Sequence, residues 1–313
     1  MGKKFSRALL ATVCCLALGA AAAGNASADL PVIYSAATGS AGFLSPQTPP
    51  AGANDWSCKP SSAHPYPVLL MHGLGSNMGE NWGTLSPLLK NNGYCVYAMN
   101  YGETALSIGR IFGLASDFES PKELAAFVDR VRASTGAAKV DIVGHSEGGQ
   151  MPNYYLRFLG GGAKVHTLVG LAPDNHGTDV SGLLKLANQL SIAIPPLSTV
   201  IYGALNWQSP ALAQQKFDSD YMRALTSLPD TVPGVKYTVI ATKYDSVVTP
   251  YKSAFLSGPG VTNITIQDKC ALDFSDHIGL AWDHVALREV LNALDPAHAH
   301  GTLCTPVPPL IGG

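Results

Sequence analysis

The stretch Gly144-His145-Ser146-Glu147-Gly148 offers a serine to a nucleophile's task. An apolar run, Val140-Asp141-Ile142-Val143, leads into it, and a helical pattern begins at once behind it. That is G-x-S-x-G in a strand–turn–helix setting, where the serine sits on a sharp turn and a side chain at either glycine would clash. A serine hydroxyl is a weak nucleophile unless a base removes its proton, and the base needs an acid to fix its tautomer. The chemistry implied is acyl transfer through a covalent intermediate on Ser146.

In this kind of turn the partners follow in the order serine, acid, histidine, each on a loop past a strand end. Behind the strand pattern Lys236–Thr242 stands Asp245, in Lys243-Tyr244-Asp245-Ser246. Behind Val261–Ile266 lies a loop that holds His277, in Ser275-Asp276-His277-Ile278. Asp174 also follows a strand and competes for the role of the acid. His284 competes with His277, although its neighbours Trp282 and Val285 suit a packed or capping role. His72 and His145 read as local hydrogen-bonding residues, and His64, His166, His176, His298 and His300 fall in no pattern. Attack on a carbonyl builds negative charge on its oxygen, so two aimed N–H donors are required. One is the backbone N–H of Glu147, the residue after the nucleophile. The second is expected from the turn His72-Gly73-Leu74-Gly75, at Leu74. The Glu147 carboxyl is poorly placed beside developing negative charge unless it turns away or is paired.

The elements that must position these groups alternate along the chain. Apolar runs at Pro67–His72, Cys95–Asn100, Lys139–Val143, Val165–Leu171, Lys236–Thr242 and Val261–Ile266 read as buried strands. Helical patterns separate most of them: Trp82 to Leu89, a helix opened by a capping box at Ser120-Pro121-Lys122-Glu123, and Met151 to Leu159. A last helix runs from about His284 to Leu294. Such alternation predicts α/β architecture with a mostly parallel central sheet flanked by helices. Residues 176–230 interrupt it. Leu183, Leu184, Leu186, Ala187 and Leu190 suggest an amphipathic helix broken by Pro195-Pro196. Val200-Ile201-Tyr202, Leu205 and Trp207 follow, then a helix between Ala211 and Leu225. This segment reads as a helical cap over the mouth of the site, against the plainer alternative of a sheet-packing helix pair.

Lys3, Lys4 and Arg7, the apolar stretch Ala8–Ala23 and Ala26-Ser27-Ala28 together predict a secretory signal peptide over residues 1–28, cleaved after Ala28. Residues 29–57, rich in Pro, Gly, Ser and Ala, read as an extended N-terminal arm, and 58–313 as one domain. A formal net charge of −2 with 13% charged residues leaves no basic face for nucleic acid. No C-x-x-C or H-E-x-x-H spacing offers a metal site, and no cofactor is implied. Beyond the leader four cysteines remain, Cys58, Cys95, Cys270 and Cys304, an even number that in an exported chain reads as two disulfides.

The chain resembles the secreted bacterial class 2 triacylglycerol lipases, especially their actinobacterial members. The resemblance is carried by Met71-His72-Gly73-Leu74-Gly75, Asn100-Tyr101-Gly102, Lys139 to Ser146 and Gly149 to Tyr155. Asp174-Asn175-His176-Gly177-Thr178 and Asp276-His277-Ile278-Gly279-Leu280 extend it, and it runs from about Asp55 to Asp295. It implies the α/β-hydrolase fold, a Ser146–Asp245–His277 triad and oxyanion donors at Leu74 and Glu147. Where that family often has Met or Gln after the nucleophile, this chain has Glu147. The expected pairing of cysteines is Cys58–Cys95, clipping the arm to the sheet, and Cys270–Cys304, bracing the His277 loop with the tail. The expected activity is hydrolysis of apolar acyl esters by a secreted monomer in transient contact with a lipid interface. Short-chain esterase, polyesterase and extracellular acyltransferase activities fit the same triad, and a non-catalytic binding protein on this fold is the remaining alternative.

Overall fold

The computed structural model describes residues 1–2, 28–193 and 209–313. The predicted leader, apart from its ends, the expected Pro195-Pro196 break and the run from Val200 to Trp207 lie outside the described residues. Six parallel strands, β1 (Val68–Met71), β2 (Val96–Met99), β3 (Val140–His145), β4 (Val165–Leu171), β5 (Lys236–Ala241) and β6 (Val261–Thr265), form one sheet in the order β2-β1-β3-β4-β5-β6. Every residue of β1 and β3 is buried, as expected of central parallel strands covered on both faces. Because successive side chains point to opposite faces, Leu69 and Met71 enter one core and Val68 and Leu70 the other.

The chain leaves β1 for β2 at one edge and returns to β3 on the far side of β1. That reversal opens a crevice at the carboxyl ends of β1 and β3, the place where sheets of this kind bind ligands. His72-Gly73-Leu74 and Ser146 both emerge there.

The arm is not wholly extended, as its composition had suggested. Ala36–Leu44 forms a helix, α1, capped by the Ser35 hydroxyl, which accepts from Ala37 N. Its sequence has little helical periodicity, so packing decides. Gly42 lies against Gly79 of the short helix α2 (Met78–Asn81) so closely that a Cβ there would fall 2.1 Å from backbone atoms. Further on, Asn54 pairs with the free edge of β2 in strand fashion, its amide bonding Ala98 N and O at 2.8 and 2.9 Å. An otherwise open sheet edge is thereby covered.

Helix α3 spans Leu85–Asn91, and α4 spans Ser120–Thr135. The capping box expected at Ser120–Glu123 does not form. The helix starts with Ser120 already inside it, and Glu123 instead accepts from Gly102 N at 3.2 Å, bracing a distant turn. The stretch after Ser146 folds as α5 (Glu147–Gln150) and α6 (Pro152–Phe158), separated where Pro152 lacks an N–H.

In the segment expected to form a cap, α7 (Val180–Ala193) buries Leu183, Leu186, Ala187 and Leu190 and exposes Leu184 and Ile192. The helix expected between Ala211 and Leu225 is two, Pro210–Gln214 and Asp220–Thr226, because Ser209 and Ser219 each cap a new start. The C-terminal helix His284–Leu294 packs under the sheet. No helix among the described residues is long and apolar enough to cross a membrane.

Disulfides join Cys58 to Cys95 and Cys270 to Cys304. The second closes a loop with a sequence separation of 34 that contains His277. Cys270→Ser/Cys304→Ser is expected to lower unfolding stability by about 3–4 kcal/mol in the chain-entropy model, read as a lower urea midpoint. An unchanged midpoint would show that this tail bond constrains nothing.

Candidate active site

The geometry begins with two glycines. A Cβ at Gly144 would stand 1.9 Å from Gly148 O, and one at Gly148 would stand 2.2 Å from Met71 O. Only there can β3 turn directly into α5 beneath the end of β1. Ser146 itself has φ 54° and ψ −126°, a conformation that L residues adopt only under strain. The strain lifts its Oγ out of the strand line and toward the crevice.

His277 Nε2 lies 2.9 Å from Ser146 Oγ, and His277 Nδ1 lies 2.9 Å from Asp245 Oδ2. The other Asp245 oxygen accepts from Val247 N at 2.9 Å and Val248 N at 2.8 Å, which fixes the carboxylate in place. All three side chains are buried. Burial alone would depress the His277 pKa, but the charge and hydrogen bond of Asp245, with Asp174 and Asp276 adding to them, raise it above the ordinary histidine value. A hydroxyl, a base and an acid so arranged can pass the serine proton to the imidazole while its partner carboxylate stabilises the imidazolium.

The rivals fall elsewhere. Asp174 is buried with no hydrogen-bond partner for its carboxylate oxygens among the described residues, and burial pushes its carboxyl up to about 7. His284 opens the C-terminal helix, its Nε2 facing Leu303 O at 2.8 Å, and thus holds the tail. His72 donates from Nδ1 to Gly73 O at 2.9 Å, and burial lowers it to about 4. His145 donates from Nε2 to His277 O at 2.9 Å; burial first, then the nearby His277, bring it down to about 3. Both rings are neutral struts at neutral pH.

Gly73 abuts Ser146, since a Cβ on it would be 3.2 Å from Ser146 Cβ. The turn behind it is braced by paired bonds, Gly75 N to Phe112 O at 2.9 Å and Phe112 N to Ser76 O at 2.7 Å. Among the described residues, neither Leu74 N–H nor Glu147 N–H is committed to a protein acceptor. Asn81 is a support that sequence reasoning passed over. Its Oδ1 accepts from Gly73 N at 2.9 Å, bracing the turn at the end of β1 beneath Ser146. Only its position four residues past Asn77 in a polar turn could have hinted at this.

Helix α7 lies over these groups. Leu186 and Leu190 of α7 line the space around Gly73, Ser146 and Trp282. They also line an adjoining apolar hollow, with Leu74, Ile111, Leu114 and Leu183, whose cavity volume is ≈ 40 Å³ and which opens to solvent. Among the described residues no group of three His, Cys, Asp or Glu side chains could hold a metal ion.

Residues 65–280 match the family model described as Lipase (class 2). A triacylglycerol lipase of Burkholderia plantarii is 34% identical over 125 residues, 37% of this chain and 31% of that protein. One from Pseudarthrobacter phenanthrenivorans is 35% identical over 98 residues, 28% of this chain and 27% of that protein. The matched stretches thus span less than a third of those relatives' length. The crystal structure of Aspergillus fumigatus lipase B superposes with a TM-score of 0.60 at 20% identity, over 83% of this chain and 58% of that one. At that identity the likeness establishes the α/β-hydrolase fold, which the sheet order already describes. With more than half of its length matched by the family model, the chain belongs to the class 2 lipases.

Proposed function

We propose that the chain is a secreted serine carboxylic-ester hydrolase, acting on triacylglycerols through an acyl-enzyme on Ser146. The observation that carries this reading is the pair of 2.9 Å contacts linking Ser146 Oγ to His277 and His277 to Asp245. Ser146 Oγ attacks the ester carbonyl as its proton passes to His277 Nε2. The tetrahedral oxyanion is held by the N–H groups of Leu74 and Glu147. Collapse expels the alcohol with the proton that His277 returns, and water then repeats the cycle to release the fatty acid. The family match and the aliphatic hollow beside Ser146 support an apolar acyl chain as the group transferred. Two disulfides support an oxidising compartment, and with it the reading of residues 1–28 as a cleaved leader. The reading keeps 58–313 as the hydrolase domain, with 176–230 as its cap.

A chain-length series of nitrophenyl esters tests this. Turnover should favour acyl chains long enough to enter the hollow, and rise sharply once the substrate aggregates if triacylglycerols are the substrate. Leu190→Trp, which fills the hollow, should lower kcat/KM for long chains at least about tenfold relative to acetate. Saturation on short esters, with no effect of Leu190→Trp on the chain-length ranking, would make the chain an esterase whose acyl group lies elsewhere. Absence of turnover on every ester would sink the reading.

A further inference from the structure

Resting on that reading, we infer that Glu147 is a positioning residue that works as an uncharged carboxylic acid. Its proton is shared with Asp117, and the pair seats the two oxyanion donors while keeping a second negative charge from beneath them.

The Glu147 side chain turns away from Ser146 into a closed space, fully buried. There it faces the Asp117 carboxyl on the loop before α4 and the Tyr101 hydroxyl beyond β2. Among the described residues no cation pairs with either acid, and neither Glu147 oxygen has a donor. The Tyr101 proton is already committed, because its hydroxyl donates to His72 O at 2.7 Å. A hydroxyl has one proton to give, so Tyr101 can only accept from Glu147. Asp117 receives Gln215 Nε2 at 3.3 Å on one oxygen and nothing on the other. Two carboxyls that face each other, with the Tyr101 proton engaged elsewhere and no cation beside them among the described residues, are best satisfied when a proton of their own lies between them.

The position of the pair gives that proton a role. Glu147 Oε2 would lie 2.9 Å from a Cβ on Gly113, and the same Cβ would lie 3.3 Å from Leu74 Cα and 3.4 Å from Gly73 O. Gly113 is therefore wedged between the Glu147 carboxyl and the Leu74 turn. Gly113 N in turn donates to Tyr101 O at 2.7 Å. One residue thus supplies a donor through its backbone and braces the other donor through its side chain. Burial, then the Asp117 charge, push the Glu147 carboxyl well up; burial pushes Asp117 up to about 8. Asp174, beyond β4, also faces both acids and adds to the repulsion, and Tyr221 of the Asp220–Thr226 helix is the remaining titratable neighbour.

Loss of the shared proton places a second charge under the site where the oxyanion forms. Wild-type kcat should then fall on the order of tenfold between pH 8 and 10, with KM little changed. Glu147→Gln and Asp117→Asn each remove the ionisable proton and leave one charge at most, so in both the alkaline decline should vanish or move up by a unit or more. Stability follows with a definite sign. A carboxyl raised in the folded chain holds a proton that the unfolded chain has released. Its stabilisation is complete below about pH 4 and is eroded as pH climbs from there through about 8. Wild-type Tm should therefore fall more steeply between pH 5 and 9 than that of either variant. Superimposable pH profiles for wild type and the variants overturn the proposal. So does a wild-type enzyme whose kcat and Tm stay flat from pH 7 to 10, which needs no variant to fold. A wild-type chain without ester turnover at any pH would instead defeat the ester-hydrolase reading, and the Tm profiles would still decide the pairing.

Discussion

Ser146→Ala is expected to reduce ester turnover by about 10⁶-fold while changing Tm by no more than roughly 1–2 °C. In the proposed mechanism this hydroxyl forms the acyl bond, and among the described residues it hydrogen-bonds His277 alone, so deletion removes chemistry without opening a cavity. His277→Ala should cost about as much. The double variant should be scarcely worse than either single one, because a relay that has lost one member has lost all of its function. The oxyanion donors should sustain a residual rate above that of water by about 10³–10⁴-fold. Nitrophenyl ester turnover and labelling by a fluorophosphonate together read the result. Substantial turnover by Ser146→Ala, or a label found on another residue, would remove Ser146 from the mechanism.

Asp245→Asn is expected to lower kcat by about 10⁴-fold with the fold intact. The amide still reaches His277 Nδ1 but presents no charge, so the imidazole loses both the tautomer it needs and the partner for its charged form. The pH profile distinguishes this from simple misplacement. In the wild type, His277 must be neutral to act as base, so kcat/KM should rise with pH through an apparent pKa above the ordinary 6.5. Without the Asp245 charge, burial dominates and that pKa falls. The residual activity of Asp245→Asn should then persist to lower pH than the wild type's does. An acid limb left unmoved, or loss of activity from Asp174→Asn instead, would transfer the acid's role.

Much of this site could be read from the sequence because the strands are buried on both faces. Central parallel strands appear as unbroken apolar runs, and the residues just past their ends are the only ones free to carry polar chemistry. Ser146, Asp245 and His277 each stand past such an end, as does Asp174, whereas His284 opens the C-terminal helix. The helix at Ala36–Leu44 was illegible for the opposite reason: it is held by the contact of Gly42 with Gly79, which no local pattern encodes. Ser120 and Glu123 show how a correct motif can mislead, since the Glu123 carboxylate found a better donor at Gly102. The direction of the Glu147 side chain was open for a related reason. It depends on Asp117 and Tyr101, which meet it only after β2, β3 and the loop before α4 have assembled.

Asp276, beside His277, receives Gly279 N of its own loop at 2.9 Å, Leu310 N of the tail at 3.3 Å, and Gln189 Nε2 of α7 at 3.0 Å. Gln189 also reaches Ser246, the neighbour of Asp245, at 3.3 Å. Helix α7, the proposed roof, is thus fastened to the loops that carry Asp245 and His277, the proposed proton relay. A guest that lifts α7 must unfasten it there, so admission and alignment are geared together. A slim ester that slides beneath the roof meets a relay braced from three sides, whereas a bulky one meets a relay that has lost one of its stays.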